Sequence, residues 1–173
     1  LKEVTFANRF VFLAASTHNG EEETLLKIYQ RVKKQHPNLL LVLVPRHPER
    51  FQAVTALAQK YKLKTIMRSS GQLCDQRTDV YVADTMGELR MIYAGADIAF
   101  VGGSLVPHGG QNALEAAAVG VPIMFGPYMM NFKEITRGLL AVEGACQCSD
   151  ETAVEQQLYR LINDAEKRQQ MVK

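Results

Sequence analysis

The sequence predicts a doubly wound parallel α/β sheet of the Rossmann-like kind, and three observations predict it. Short runs that are apolar throughout, and so suited to strands covered on both faces, alternate with segments whose apolar residues recur at helical spacing. These runs end in loops rich in Gly, Pro, Ser and His. A chain of 173 residues has room for one well-buried domain, not two.

Taken in order, Phe10–Ala15 is the first buried strand, and Ser16-Thr17-His18-Asn19-Gly20 opens a helix with three acids, Glu21–Glu23, in its first turn. Leu25, Ile28, Tyr29 and Val32 form that helix's inner face, and His36-Pro37-Asn38 stops it. Leu39–Val44 is the second strand, ended by Pro45-Arg46-His47-Pro48, whose prolines forbid further pairing. A second helix begins at Glu49, with Phe51, Val54, Leu57, Ala58 and Tyr61 inward. Strands follow at 64–67 and 80–83, then a turn at 84–89 into a helix through Tyr93, then a strand at 97–101. Beyond the glycine-rich stretch 102–110 come a helix from Asn112, a strand at 121–125, a helix headed by Asn131–Ile135, and a strand at 145–148. Asp150 caps a last helix with Val154, Leu158, Leu161 and Ile162 inward.

Composition narrows the function classes. With 47% hydrophobic and 22% charged residues the chain reads as a soluble globular protein, and no apolar run approaches the roughly 18 residues of a membrane-spanning helix. No signal-peptide pattern opens the sequence, and the missing initiator Met reads as a fragment. Cys74, Cys146 and Cys148 are odd in number and lack metal-ligand spacing, which points to a reducing cytoplasm. Residues 1–70 hold 12 Lys/Arg against 5 Asp/Glu. That excess suits an anionic ligand or an anionic membrane surface, although a solvated basic helix over 27–34 accounts for much of it.

In a doubly wound sheet, ligands sit at the carboxyl ends of the strands, where four loops converge: 16–22, 46–47, 84–88 and 102–115. In the last of these, Gly109 and Gly110 let backbone approach a ligand, and Asn112 and Glu115, three apart, share a face of the opening helical turn. With Ser104 they suit a nucleotide, the phosphate on the N–H groups and the Asn112 amide, the sugar hydroxyls on Glu115. The same pattern also fits a plain turn with a carboxylate complementing the helix dipole. Arg46 and His47, held between two prolines, present a guanidinium able to grip a phosphate or carboxylate. His18 and His108 are further candidate ligands or acids. No G-x-G-x-x-G follows the first strand, which counts against a dinucleotide cofactor, and the four histidines lack metal-type spacing, so neither a cofactor nor a metal is expected.

Together these blocks resemble a known family. Thr17-His18-Asn19-Gly20-Glu21-Glu22, Pro45-Arg46-His47-Pro48-Glu49-Arg50, Asp84-Thr85-Met86-Gly87-Glu88-Leu89, Val101–Val106, Gly109–Glu115 and Gly126-Pro127 with Asn131-Phe132 are similar, in order, to the C-terminal half of the Kdo transferases. These bacterial enzymes move 3-deoxy-D-manno-octulosonic acid (Kdo) from CMP-Kdo to a lipid A precursor in lipopolysaccharide inner-core synthesis. The resemblance implies that residues 1–173 are the single nucleotide-sugar-binding domain of a GT-B glycosyltransferase. It implies inverting transfer without a metal, with the catalytic base and the acceptor-binding, membrane-associating surface in an N-terminal domain outside this chain. The chain alone is then inactive and carries no catalytic residue, and the whole enzyme works at the cytoplasmic face of the inner membrane with no nucleic acid partner.

Carried onto this sequence, the resemblance assigns the CMP phosphate to Arg46, Ser104, Gly109, Gly110 and Asn112, with His47 beside them, and the ribose to Glu115. The cytidine neighbourhood falls to Met86, Gly87 and Glu88, and the Kdo or phosphate side to Ser16, Thr17 and Asn131. One departure stands out: the family usually has His-Asn-Pro where this chain has Gln111-Asn112-Ala113, and glutamine cannot become cationic. The alternatives are another GT-B nucleotide-sugar enzyme, such as a UDP-sugar transferase or a UDP-GlcNAc 2-epimerase, or a nucleotide-binding module without catalysis.

Overall fold

A computed structural model of the chain describes residues 5–84, 88–111 and 113–172. Strands β1 (Phe10–Thr17), β2 (Leu39–Pro45), β3 (Thr65–Met67), β4 (Val80–Val82), β5 (Ile98–Val101), β6 (Ile123–Phe125) and β7 (Ala145–Gln147) form one sheet in the order β3-β4-β2-β1-β5-β6-β7. Every pairing is parallel, with Leu13 of β1 opposite Val42 of β2 on one side and Ala99 of β5 on the other. Helices α1 (Glu21–Val32), α2 (Phe51–Lys60), α3 (Leu89–Ala94), α4 (Leu114–Val119), α5 (Lys133–Ala141), α6 (Glu151–Asn163) and α7 (Ala165–Met171) cover both faces.

The two-sided burial expected of the apolar runs is present. Phe12, Ala14, Leu41, Leu43, Val80, Val82 and Phe100 pack under α1, α2 and α6. Their alternating neighbours Val11, Leu13, Leu40, Val42, Tyr81, Ala99 and Val101 pack under α3 and α4 with Phe6. Because consecutive strand residues point to opposite faces, a strand covered on both sides must be apolar at every position. Each fully buried large side chain contributes about 1.5–3 kcal/mol relative to exposure.

The expected boundaries shift by a residue or two at most strands. Pro48–Arg50 forms a 3-10 turn ahead of α2, with Pro48 in its first turn. Asp150 caps α6 through its side chain and the Ala153 N–H at 2.9 Å, as expected. Helix α7 was not foreseen; Asp164 caps it in the same way, and Arg168 folds back to donate to the carbonyls of Leu161 and Ile162.

The winding reverses between β1 and β5: β2, β4 and β3 lie to one side, β6 and β7 to the other. A crevice opens at the carboxyl ends of such a pair because the loops leaving the two strands diverge to opposite faces. Residues 18–20 and 102–111 lie in those loops.

Candidate functional site

A buried carboxylate organises the crevice. Glu21 is fully buried, and its Oε1 accepts from the His18 N–H at 2.9 Å and the Gly103 N–H at 2.7 Å. Its Oε2 accepts from the N–H groups of Ser104 at 3.1 Å and Leu105 at 3.0 Å. The loops leaving β1 and β5 are thereby locked to one another. Burial pushes this carboxyl above its ordinary range, while the four N–H donors pull the other way. Close approach of the strand ends makes the lock possible: Ser16 sits in the left-handed region at φ 57° where β1 slips register, and a Cβ on Gly102 would strike the Ser16 carbonyl.

This arrangement corrects part of the sequence reading. The amides of residues 103–105 serve Glu21, and the Gly110 N–H donates to the Gly103 carbonyl at 2.9 Å, so neither set is presented to a ligand. Ser104 is turned inward, its hydroxyl donating to the Val101 carbonyl at 2.6 Å and accepting from the Gly126 N–H at 2.8 Å. Its task here is to join the ends of β5 and β6. Helix α4 begins at Leu114 and runs for six residues, so the helix start expected at Asn112 does not form a long dipole behind the loop.

A second set of groups stands beside this lock. Thr17 and Glu22 are fully buried, and Thr17 Oγ1 and Glu22 Oε1 have no hydrogen-bond partner among the described residues. The other oxygen of Glu22 takes the Arg50 guanidinium at 2.8 Å. His18, 8% exposed, stacks on His108 with centroids 4.1 Å apart and meets His47 edge-on at 5.4 Å. Gln111 Nε2 lies 3.1 Å from His18 Nε2. Arg46 is exposed beside them, its backbone N–H donating to the Thr17 carbonyl at 2.8 Å. Three histidines far apart in sequence thus form one cluster. Sequence spacing does not reveal it; the shared strand edge does.

The remaining expected residues lie around this centre. Asn131 is exposed and clamps the glycine loop, its N–H donating to the Gly109 carbonyl at 3.1 Å, and a Cβ on Gly109 would collide with its amide. Glu115 is exposed in the first turn of α4; burial raises the Tyr93 phenol, and the Glu115 charge adds to it. Glu88 receives a two-pronged ion pair from Arg68, at 2.7 and 2.9 Å. Met86, Gly87 and Asn112 lie outside the described residues. Among the described residues no group of three or more His, Cys, Asp or Glu side chains is arranged to hold a metal ion.

A seven-stranded parallel sheet with helices on both faces and its polar crevice at the strand-order reversal defines the class: the Rossmann-like C-terminal domain of a GT-B glycosyltransferase. The chain belongs to the glycosyl transferases of group 1, whose family model matches residues 6–173, and within them to the Kdo transferases. It is 46% identical over 165 residues to the 3-deoxy-D-manno-octulosonic acid transferase of Haemophilus influenzae and 36% identical over 167 residues to that of Bordetella pertussis. These alignments take in 95% and 94% of this chain but 39% of each relative, so the chain spans about two fifths of their length. The crystal structure of the C-terminal CMP-Kdo binding domain of WaaA from Acinetobacter baumannii matches 96% of this chain and 87% of that one, at 37% identity and a TM-score of 0.92. A UDP-N-acetylglucosamine 2-epimerase from Listeria monocytogenes shares the fold alone, at 12% identity and a TM-score of 0.65.

Proposed function

We propose that residues 1–173 are the donor-binding domain of an enzyme that moves Kdo from CMP-Kdo to a lipid A precursor in lipopolysaccharide synthesis. The observation that carries this reading is the likeness, in sequence and fold together, to the A. baumannii CMP-Kdo binding domain. The rest of the enzyme supplies the acceptor site, the base and the attachment to the cytoplasmic face of the inner membrane. Transfer inverts the anomeric centre and uses no metal. The acceptor oxygen forms a bond to the anomeric carbon as the bond from that carbon to the phosphate oxygen breaks, the acceptor's proton passing to the base and the electron pair leaving on CMP.

Charge grows on the departing phosphate, so fixed donors aimed at it lower the barrier. In this reading they are the Arg46 guanidinium, the Thr17 hydroxyl, the Gly109 N–H and the Asn112 amide, while Glu115 binds the ribose hydroxyls. Asn131 acts by holding Gly109, and Met86, Gly87 and Glu88 border the cytosine ring, with Arg68 steadying Glu88. Calorimetric titration of CMP against UDP tests the donor. CMP is expected to bind more tightly, and Arg46→Ala and Glu115→Ala are each expected to weaken it about 10- to 100-fold, the loss of one charge-assisted contact. Tighter binding of UDP, or parent-like CMP affinity in both variants, overturns the assignment.

A further inference from the structure

Three imidazoles and a guanidinium facing one crevice pose an electrostatic problem. His18 is packed between His108 on the loop after β5 and His47 on the loop after β2, with Arg46 beside His47. The anionic groups nearby come from α1. Glu21 is consumed by four N–H donors, and Glu22 shares its charge with Arg50 from the turn before α2. Rings this close cannot all be cations without a counter-charge. Burial pushes the His18 imidazole below its ordinary value, followed by repulsion from His108 and His47, with Glu22 opposing and Arg46 adding to the depression.

The contact with Gln111 fits the same state. With its Nε2 turned to His18 Nε2, 3.1 Å away, the Gln111 amide donates to a neutral ring that carries its proton on Nδ1. A glutamine can also turn its amide and offer oxygen to a protonated Nε2, which a fixed donor could not do.

We propose that His18, His47 and His108 form a phosphate receptor that captures a proton from solvent as a nucleoside monophosphate enters, with Gln111 reversing its amide to accept from His18. An anion at the cluster supplies the missing counter-charge, so protonation and binding reinforce one another. The receptor thereby adds to the standing charge of Arg46 a second cation that arrives with the phosphate. This inference rests on the donor-site reading of the same crevice.

Titration calorimetry of this chain with CMP in HEPES and in Tris at pH 7.5 measures the captured proton, because the observed heat shifts with the buffer's ionisation enthalpy in proportion to it. At that pH the phosphate of CMP, with a second pKa near about 6, is almost fully ionised and contributes little. The expected uptake is about 0.5–1 proton, with affinity rising as pH falls from 8 to 6.5. His18→Asn is expected to cut the uptake to a small fraction and to weaken CMP about tenfold. His108→Asn, at an exposed ring, repeats the test if the buried substitution prevents folding. Gln111→Leu, which leaves nothing to accept from the protonated ring, is expected to lower uptake while binding persists. Normal CMP binding with heat independent of buffer overturns the proton capture and leaves the donor reading intact. No binding of CMP by the parent overturns both.

Discussion

At the amino edge of the sheet a buried cation ties backbone carbonyls together, and at the carboxyl edge a buried anion ties backbone N–H groups together. Arg9, 1% exposed, donates to the carbonyls of Asn38 and Leu39 ahead of and at the start of β2, and to those of Asp75 and Thr78 ahead of β4, at 2.7–2.9 Å. Asp79 and Asp97 add further ties there, to the Lys64 and Val11 N–H groups. Glu21 does the converse for the loops leaving β1 and β5. In each case peptide dipoles replace the water that a buried charge gives up. The difference lies in what remains unspent. Around Glu21 stand Thr17 Oγ1, Glu22 Oε1 and three imidazoles with hydrogen-bonding capacity left over. One edge is closed for stability, while the other is fastened only as far as a ligand site allows.

Two substitutions break the comparison from its ends. Arg9→Ala is expected to have the largest effect, a loss of about 3–5 kcal/mol in urea unfolding, because a buried charged hub disappears. The Thr78 carbonyl loses its donor outright, while the Asn38, Leu39 and Asp75 carbonyls keep partners in the Phe10 N–H, the Tyr29 hydroxyl and the Thr78 N–H. CMP affinity per folded molecule should stay at the parent value. Glu21→Ala is expected to cost less, about 2–4 kcal/mol, since water can reach the freed amides of the crevice more easily than the closed edge. It should also weaken CMP more than tenfold by releasing the loop that carries Gly109 and His108. Equal effects of the two variants on CMP binding would erase the distinction between the edges.

How much of this was legible in the sequence follows the same division. The sheet was readable because strands covered on both faces leave a continuous apolar run, as in Leu39–Val44, that no other local structure explains as well. Helix α7 was not, since Ala165–Met171 buries one residue, Met171, and carries no stripe. The convergence of the loops at 16–22, 46–47 and 102–115 followed from topology. The contacts within it did not. Three acids at a helix start read as complements to the dipole, and only a loop 82 residues away turns Glu21 into a buried hub. Ser104 and Gly110 looked like ligand donors for a related reason: their neighbours supply the partners, and those neighbours are remote in sequence. His18 and His108 were visible as candidates, but their stacking was not.

The smallest expected effect sharpens the comparison most, because it has opposite signs for stability and for binding. Thr17 keeps a fully buried hydroxyl with no partner among the described residues, at the very end of β1. A valine there has nearly the same shape and removes the unpaired oxygen, so Thr17→Val is expected to leave stability unchanged or raise it, by up to about 1–2 kcal/mol. In the donor-site reading proposed above, the partner of this hydroxyl arrives with the ligand. The same variant is therefore expected to weaken CMP by about 10- to 20-fold, the low end of the worth of a hydrogen bond to a charged oxygen. Urea unfolding and calorimetry on one preparation give both numbers. If Thr17→Val is destabilised and binds CMP normally, the hydroxyl belongs to the fold, and the carboxyl edge is as closed as the one that Arg9 holds.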